Sequence, residues 1–118
     1  MKEFVTWMDV ESYVHAVAEF YKGKGITGVY GLPRGGVVFA VMLSHLMGVP
    51  MLGAPCKGCL VVDDIADSGE TLLHYERKGY HITTMFYHKG SSVVPEFWIK
   101  EKKDCWIVYP WEMSVCTQ

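Results

Sequence analysis

Behind Thr6, with Asp9 three positions on, apolar residues recur at helical spacing through Val10, Val14, Val17, Ala18 and Tyr21. This predicts a first helix that runs from the Thr6–Asp9 capping pair to about Lys22 and is closed by Gly23 to Gly25. Ile26 to Leu32 is rich in β-formers and reads as the first parallel strand, and Pro33-Arg34-Gly35-Gly36 leads from it into an apolar helix that Gly48 and Pro50 stop. The same order then returns. Cys59 to Val62 is a short apolar, β-branched run suited to a strand buried on both faces, and Glu70 to Lys78 is a run of helix formers with Gly79 as its stop. Asp63 and Asp64 fall at the carboxyl end of that strand. His81 to Tyr87 is a further β-rich run ending at His88-Lys89-Gly90, and Pro95 to Lys103 mixes aromatics with charges ahead of Cys105-Trp106-Ile107-Val108-Tyr109-Pro110-Trp111-Glu112. Strand, loop and helix twice in succession predict an α/β fold with a central, mostly parallel sheet of about four or five strands and helices on both faces.

At 118 residues the chain makes one domain, able to bury about two thirds of its unfolded surface, so its site has to be built on one sheet. Half of the residues are hydrophobic and a fifth charged, the balance of a soluble globular protein. A formal net charge of −2 without a basic cluster argues against a nucleic-acid or anionic-membrane surface and for a small ligand. The most apolar run, Val37 to Met47, is interrupted by Ser44 and His45 and is too short to span a bilayer; Met1-Lys2-Glu3 is followed by no apolar core of a signal peptide. The expected compartment is the cytoplasm, with Cys56, Cys59, Cys105 and Cys116 reduced. Cys56-Lys57-Gly58-Cys59 has the C-x-x-C spacing, but Cys105 and Cys116 are too far apart to complete a zinc site and this pair opens a strand, not a helix, so ordinary thiols are expected.

The acids change that picture. In open α/β sheets ligands bind at the carboxyl ends of strands, and the turn into the next helix offers free N–H groups at a positive dipole end. Ser68, Gly69 and Thr71 present amides and hydroxyls suited to a phosphate, whereas Asp63 and Asp64 suit sugar hydroxyls or Mg²⁺, direct or through water. A phosphorylated sugar satisfies both halves. Arg34, which alone would be a solvated loop residue, also stands at a strand's carboxyl end, where it supplies a fork of donors beside glycines that let an anion come close.

The run Val61 to Leu73 closely resembles the phosphoribosyl pyrophosphate (PRPP) signature of type I phosphoribosyltransferases, and Pro33 to Gly36 resembles the family's pyrophosphate loop, in which the bond entering the basic residue, here Pro33 to Arg34, is often cis. Cys105 to Glu112, with Lys89 upstream, resembles the base-binding hood of the xanthine-guanine and hypoxanthine members, and Phe4-Val5-Thr6-Trp7 with its helix resembles their start. The resemblance implies the type I phosphoribosyltransferase fold as a single domain, 1–118, with a core over about 1–90 and a small C-terminal hood over about 91–118. It implies transfer of 5-phosphoribosyl from PRPP to N9 of a 6-oxopurine, with Mg²⁺ as cofactor and a homodimer or homotetramer as the assembly. Asp63, Asp64, Ala66, Asp67, Ser68, Gly69, Glu70 and Thr71 would hold the ribose and 5′-phosphate, Asp63 and Asp64 also serving the Mg²⁺. Pro33, Arg34, Gly35 and Gly36 would hold pyrophosphate. Lys89 would donate to the 6-oxo group, Trp106 would stack on the ring and the Ile107 backbone would face positions 1 and 2, as a carbonyl and a flat base require. Asp67 would be the general base or electrostatic partner at N7, and Glu112 would hold the hood together.

One departure stands out. The family places a long mobile lid after the second helix, and this chain has only Pro50 to Gly58 there, with Lys57 as a substitute for one contact at most. Lids exclude water and complete sites, so two alternatives stay open: a PRPP- or nucleotide-binding module with little catalysis, and a phosphoribosyltransferase for another acceptor.

Overall fold

The computed structural model describes residues 1–112; Cys116 and the end of the expected hood, 113–118, lie outside the described residues. Strand β1, Lys2–Phe4, opens the chain. The Thr6 hydroxyl then accepts the Asp9 N–H at 3.0 Å while the Asp9 carboxylate accepts the Thr6 N–H at 2.9 Å, satisfying two donors that a helix start leaves open. Helix α1, Trp7–Phe20, follows and buries Val10, Tyr13, Val14 and Val17. Strand β2, Val29–Gly31, is shorter than the predicted Ile26 to Leu32, because Thr27 is tied to the turn before the next strand, its N–H on the Gly58 carbonyl at 3.0 Å. Helix α2, Val37–Met47, ends on Gly48 at φ 66°, a left-handed conformation that glycine enters without a Cβ clash. The chain then reaches the outer edge of β2, where the Val29 N–H meets the Pro50 carbonyl at 3.0 Å and the Leu52 N–H the Val29 carbonyl at 2.8 Å. Strand β3, Leu60–Ala66, helix α3, Glu70–Arg77, and strand β4, His81–Tyr87, complete the core; β5, Lys100–Glu101, and β6, Trp106–Val108, follow.

Strands β2, β3, β4 and β5 form one parallel sheet in that order, and β1 and β6 form a separate parallel pair. Helices α1 and α2 pack on one face over Leu60, Val62 and Phe86; α3 packs on the other over Cys59, Val61 and Ile82. Alternation along β3 feeds both cores, which is why Cys59 to Val62 is apolar without a break. Helix α2 leads outward to the sheet edge and α3 inward to β4, and crossovers of one hand taken in opposite directions lie on opposite faces.

Three expectations need correction. Strand β3 continues four residues past Val62, because β4 runs on beside it after β2 stops, pairing Asp63 with Thr84, Ile65 with Phe86 and Ala66 with Tyr87. The two acids therefore stand inside the strand, beyond the end of β2 but not beyond the end of β3. The hood is not C-terminal alone, since β6 takes its partner from residues 2–4. Lys57 cannot stand in for a lid contact, because Pro50 to Gly58 meets the sheet only near Thr27 and Val29 and β3 separates Lys57 from Asp67 by roughly 20 Å at about 3.3 Å per residue. The Cys56–Cys59 pair shares that remote end, with the Cys56 N–H on the Cys59 sulfur at 3.4 Å. Among the described residues no helix is long and apolar enough to cross a membrane.

Candidate active site

The loops leaving the carboxyl ends of β2 and β3 enclose an open cleft of two adjoining recesses. The larger, about 520 Å³, is lined by Pro33, Arg34, Gly35, Val38, Asp64 and Trp111. The smaller, about 150 Å³, is lined by Ile65, Asp67, Lys102, Trp106, Ile107 and Tyr109. Asp64 and Glu112 line both.

At the first recess the Pro33–Arg34 peptide bond is cis, at the position that the family resemblance implied. The Gly36 N–H donates to the Leu32 carbonyl at 2.8 Å and the Leu32 N–H to the Val62 carbonyl at 3.0 Å, folding this loop flat on β3. A Cβ on Gly36 would overlap the Val62 carbonyl, and one on Gly35 the Asp64 carboxylate. Close approach to β3, to the Val62 carbonyl for Gly36 and the Asp64 carboxylate for Gly35, and not turn geometry, requires glycine here.

The loop after β3 leaves backbone donors open. Gly69 stands at φ 80° under Ser91, Ser92 and Val93, which leave no space for a side chain, and the Ser92 N–H holds the Ser68 carbonyl at 2.8 Å. Among the described residues the amides of Ser68, Gly69 and Thr71 meet no protein acceptor. They gather at the N-terminal, positive end of α3, whose first turn begins at the exposed Glu70. Ala66, buried at the end of β3, offers its carbonyl to the His88 N–H at 2.9 Å and pins the loop to β4.

Asp63 and Asp64 are half-buried neighbours, and the Asp63 carboxylate accepts the Asp64 N–H at 2.8 Å. Burial first, and the Asp64 charge second, push the Asp63 carboxyl up to about 8. Burial also raises Asp64, with the Glu112 charge adding to it. Among the described residues neither acid has a cationic partner. Two carboxylates that repel each other suit hydroxyl donors or a divalent cation; among the described residues no third acid, histidine or cysteine is placed to share a metal ion with them, so a cation there would keep waters or ligand oxygens in its shell.

Asp67 lies in the second recess between two basic groups. One of its oxygens is 3.6 Å from His88 Nδ1 and the other 3.4 Å from Lys102 Nζ. Above them Trp106 is 69% exposed, its ring open to the recess, while Ile107 is buried in the hood sheet. The hood is braced from below. The Tyr109 hydroxyl donates to the Asp64 carbonyl at 2.9 Å, the Tyr109 ring stacks on Trp111 at 5.1 Å and 6°, and the Glu112 carboxylate accepts the Tyr109 N–H at 2.9 Å. Lys89 does not line the recess; its ammonium is 3.6 Å from Glu101.

No protein-family profile matches the chain. The xanthine-guanine phosphoribosyltransferase of Vibrio parahaemolyticus is 24% identical over 140 residues, covering 97% of this chain and 91% of its own. That of Chromohalobacter salexigens is 22% identical over 136 residues, covering 94% and 84%. Among solved structures, a purine phosphoribosyltransferase from Pyrococcus horikoshii matches with a TM-score of 0.82 at 27% identity, over 94% of each chain. The chain has the type I phosphoribosyltransferase fold. A Helicobacter pylori xanthine-guanine-hypoxanthine phosphoribosyltransferase has the same fold, with a TM-score of 0.78 at 16% identity over 99% of this chain and 97% of its own.

Within this phosphoribosyltransferase fold, sequence reasoning missed Lys102, the Tyr109 bond to Asp64, and the cover that Ser91 to Val93 place on Gly69. Lys102 carried no signal, being one of several lysines in a charged stretch. Tyr109 sat in the recognised hood run, but nothing in that run pointed to a partner for its hydroxyl. A glycine followed by a serine pair past β4 gave no cue that it would fold back.

Proposed function

We propose that the protein transfers 5-phosphoribosyl from PRPP to N9 of a 6-oxopurine, guanine, xanthine or hypoxanthine, forming the nucleoside monophosphate and pyrophosphate. The observation that carries this reading is that Asp64 lines both recesses, so that a basic glycine loop and an aromatic hood open onto the two sides of this one acid, with Asp63 beside it in the strand. That is the order of charges along the reactants: pyrophosphate at Pro33, Arg34, Gly35 and Gly36, ribose at Asp63 and Asp64, base at Trp106 and Ile107. The amides of Ser68, Gly69 and Thr71 would take the 5′-phosphate at the head of α3. Departure of pyrophosphate leaves positive charge on the sugar, which the neighbouring carboxylates offset, while the Arg34 fork holds the leaving oxygens. Asp67 would take the proton from N7 or offset the charge that grows there. Asp63 and Asp64 are the residues that would hold Mg²⁺, which when bound neutralises charge on the leaving group.

The Pro50 to Gly58 segment favours a second reading, a module that binds PRPP or a nucleotide with little turnover, because nothing in that segment reaches the carboxyl edge to exclude water. One experiment separates the readings. The protein is incubated with PRPP, Mg²⁺ and guanine, xanthine, hypoxanthine, adenine or orotate in turn, and pyrophosphate is measured. Release with the first three supports the proposal, release only with adenine or orotate refutes the acceptor, and tight PRPP binding without release with any base leaves the module.

A further inference from the structure

Four lysines, Lys89, Lys100, Lys102 and Lys103, lie in the chain between β4 and β6, and the structure sorts them. Lys89 and Lys103 both hold Glu101, at 3.6 and 3.0 Å, and Lys100 holds Glu3. Lys102 alone lines the recess, with Asp67, Trp106 and Ile107. Its backbone is fixed, the N–H donating to the Tyr87 carbonyl at the end of β4 at 2.9 Å, and its side chain is 20% exposed where that of Lys89 is 78% exposed.

We propose that Lys102 is the cation that reads the carbonyl edge of the purine, exchanging its ion pair with Asp67 for the base's 6-oxo oxygen. This rests on the 6-oxopurine reading and assigns to another element the contact that resemblance gave to Lys89. Lys102 Nζ and Asp67 Oδ2 stand 3.4 Å apart, a donor beside an acceptor. Position 6 and N7 lie side by side on one edge of the purine. The free 6-oxopurine in its N7–H form shows there an acceptor beside a donor, the complement of this pair, and its N9-nucleotide keeps the position-6 acceptor that Lys102 would read. A 6-aminopurine turns a donor toward the ammonium. The pair in the empty cleft is half open to water and therefore weak, so the base can displace it, and its displacement leaves the Asp67 carboxylate facing N7.

The test is equilibrium binding of GMP and of AMP to the wild type, Lys102→Met and Lys89→Met, which needs no turnover. Lys102→Met keeps the apolar stem and should lower the GMP-over-AMP preference by about 10- to 150-fold, the worth of a charge-assisted hydrogen bond; Lys89→Met should leave that preference unchanged. Because the preference is a ratio within one variant, a loss of folded protein does not imitate the effect. Equal weakening of both nucleotides by Lys102→Met, or loss of preference in Lys89→Met instead, overturns the assignment. A wild type that binds AMP as tightly as GMP refutes the 6-oxopurine reading itself and takes this inference with it.

Discussion

Asp63→Asn should make the protein more stable and a worse ligand binder, and the gain should depend on pH. Folded, the Asp63 carboxyl keeps its proton to about pH 8; its ordinary value is 3.8. Across that window the unfolded chain binds fewer protons than the folded one, so stability falls as pH rises, by up to about 1.4 kcal/mol per pH unit for one group. The cost is absent below about pH 4 and complete above about pH 8. Asparagine removes it while its side-chain oxygen can still accept the Asp64 N–H, which lies at 2.8 Å in the native chain. Asp64 carries part of the repulsion and the cleft admits water, so the substitution recovers about 1–3 kcal/mol at pH 8. At about 4 °C per kcal/mol for a domain of this size, the midpoint should rise by about 4–12 °C. Thermal unfolding followed by circular dichroism at pH 8 and pH 4.5 measures this directly. A midpoint at pH 8 that is unchanged or lower, or a gain equally large at pH 4.5, would show that the acid pair is not held against its own charge. The same variant should lose PRPP affinity in a calorimetric titration, because the repulsion that destabilises the empty cleft is what the ligand relieves.

Gly69→Ala should cost about 1–3 kcal/mol, since φ 80° disfavours a side chain and Ser91 and Ser92 occupy its space; urea unfolding reads the loss, and PRPP binding should fall with it. Tyr109→Phe removes the bond to the Asp64 carbonyl without changing shape, so it should cost about 1 kcal/mol in urea unfolding and weaken GMP binding; an unchanged GMP affinity would mean that the hood is not positioned through this bond.

Much of the site was legible because each part of it is a local pattern. The strand, acid, glycine and helix order from Leu60 to Leu73, the basic loop at Pro33 to Gly36 and the aromatic run at Cys105 to Glu112 each announce chemistry within a few residues, and the Thr6–Asp9 cap could be read from spacing alone. Where β3 ends was not legible, because a strand lasts as long as its partner does, and its partner past Val62 is β4. Residue type was likewise silent on which lysine faces the base. Lys89, Lys100, Lys102 and Lys103 are alike as letters, and the positions of Glu3 and Glu101 decide among them.

By itself, then, the sequence determined the α/β class, the order of the core elements from α1 to β4, the glycines at the strand ends, and the shortness of the connection at Pro50 to Gly58, since these follow from period, composition and chain length. The tertiary structure alone decided that residues 2–4 complete the hood, that Tyr109 ties the hood to Asp64, that Ser91 to Val93 roof Gly69, and that Lys102 pairs with Asp67. All of these join residues far apart in the chain. Which distant groups meet is settled by how helices and strands pack around two shared cores, and no local pattern records it.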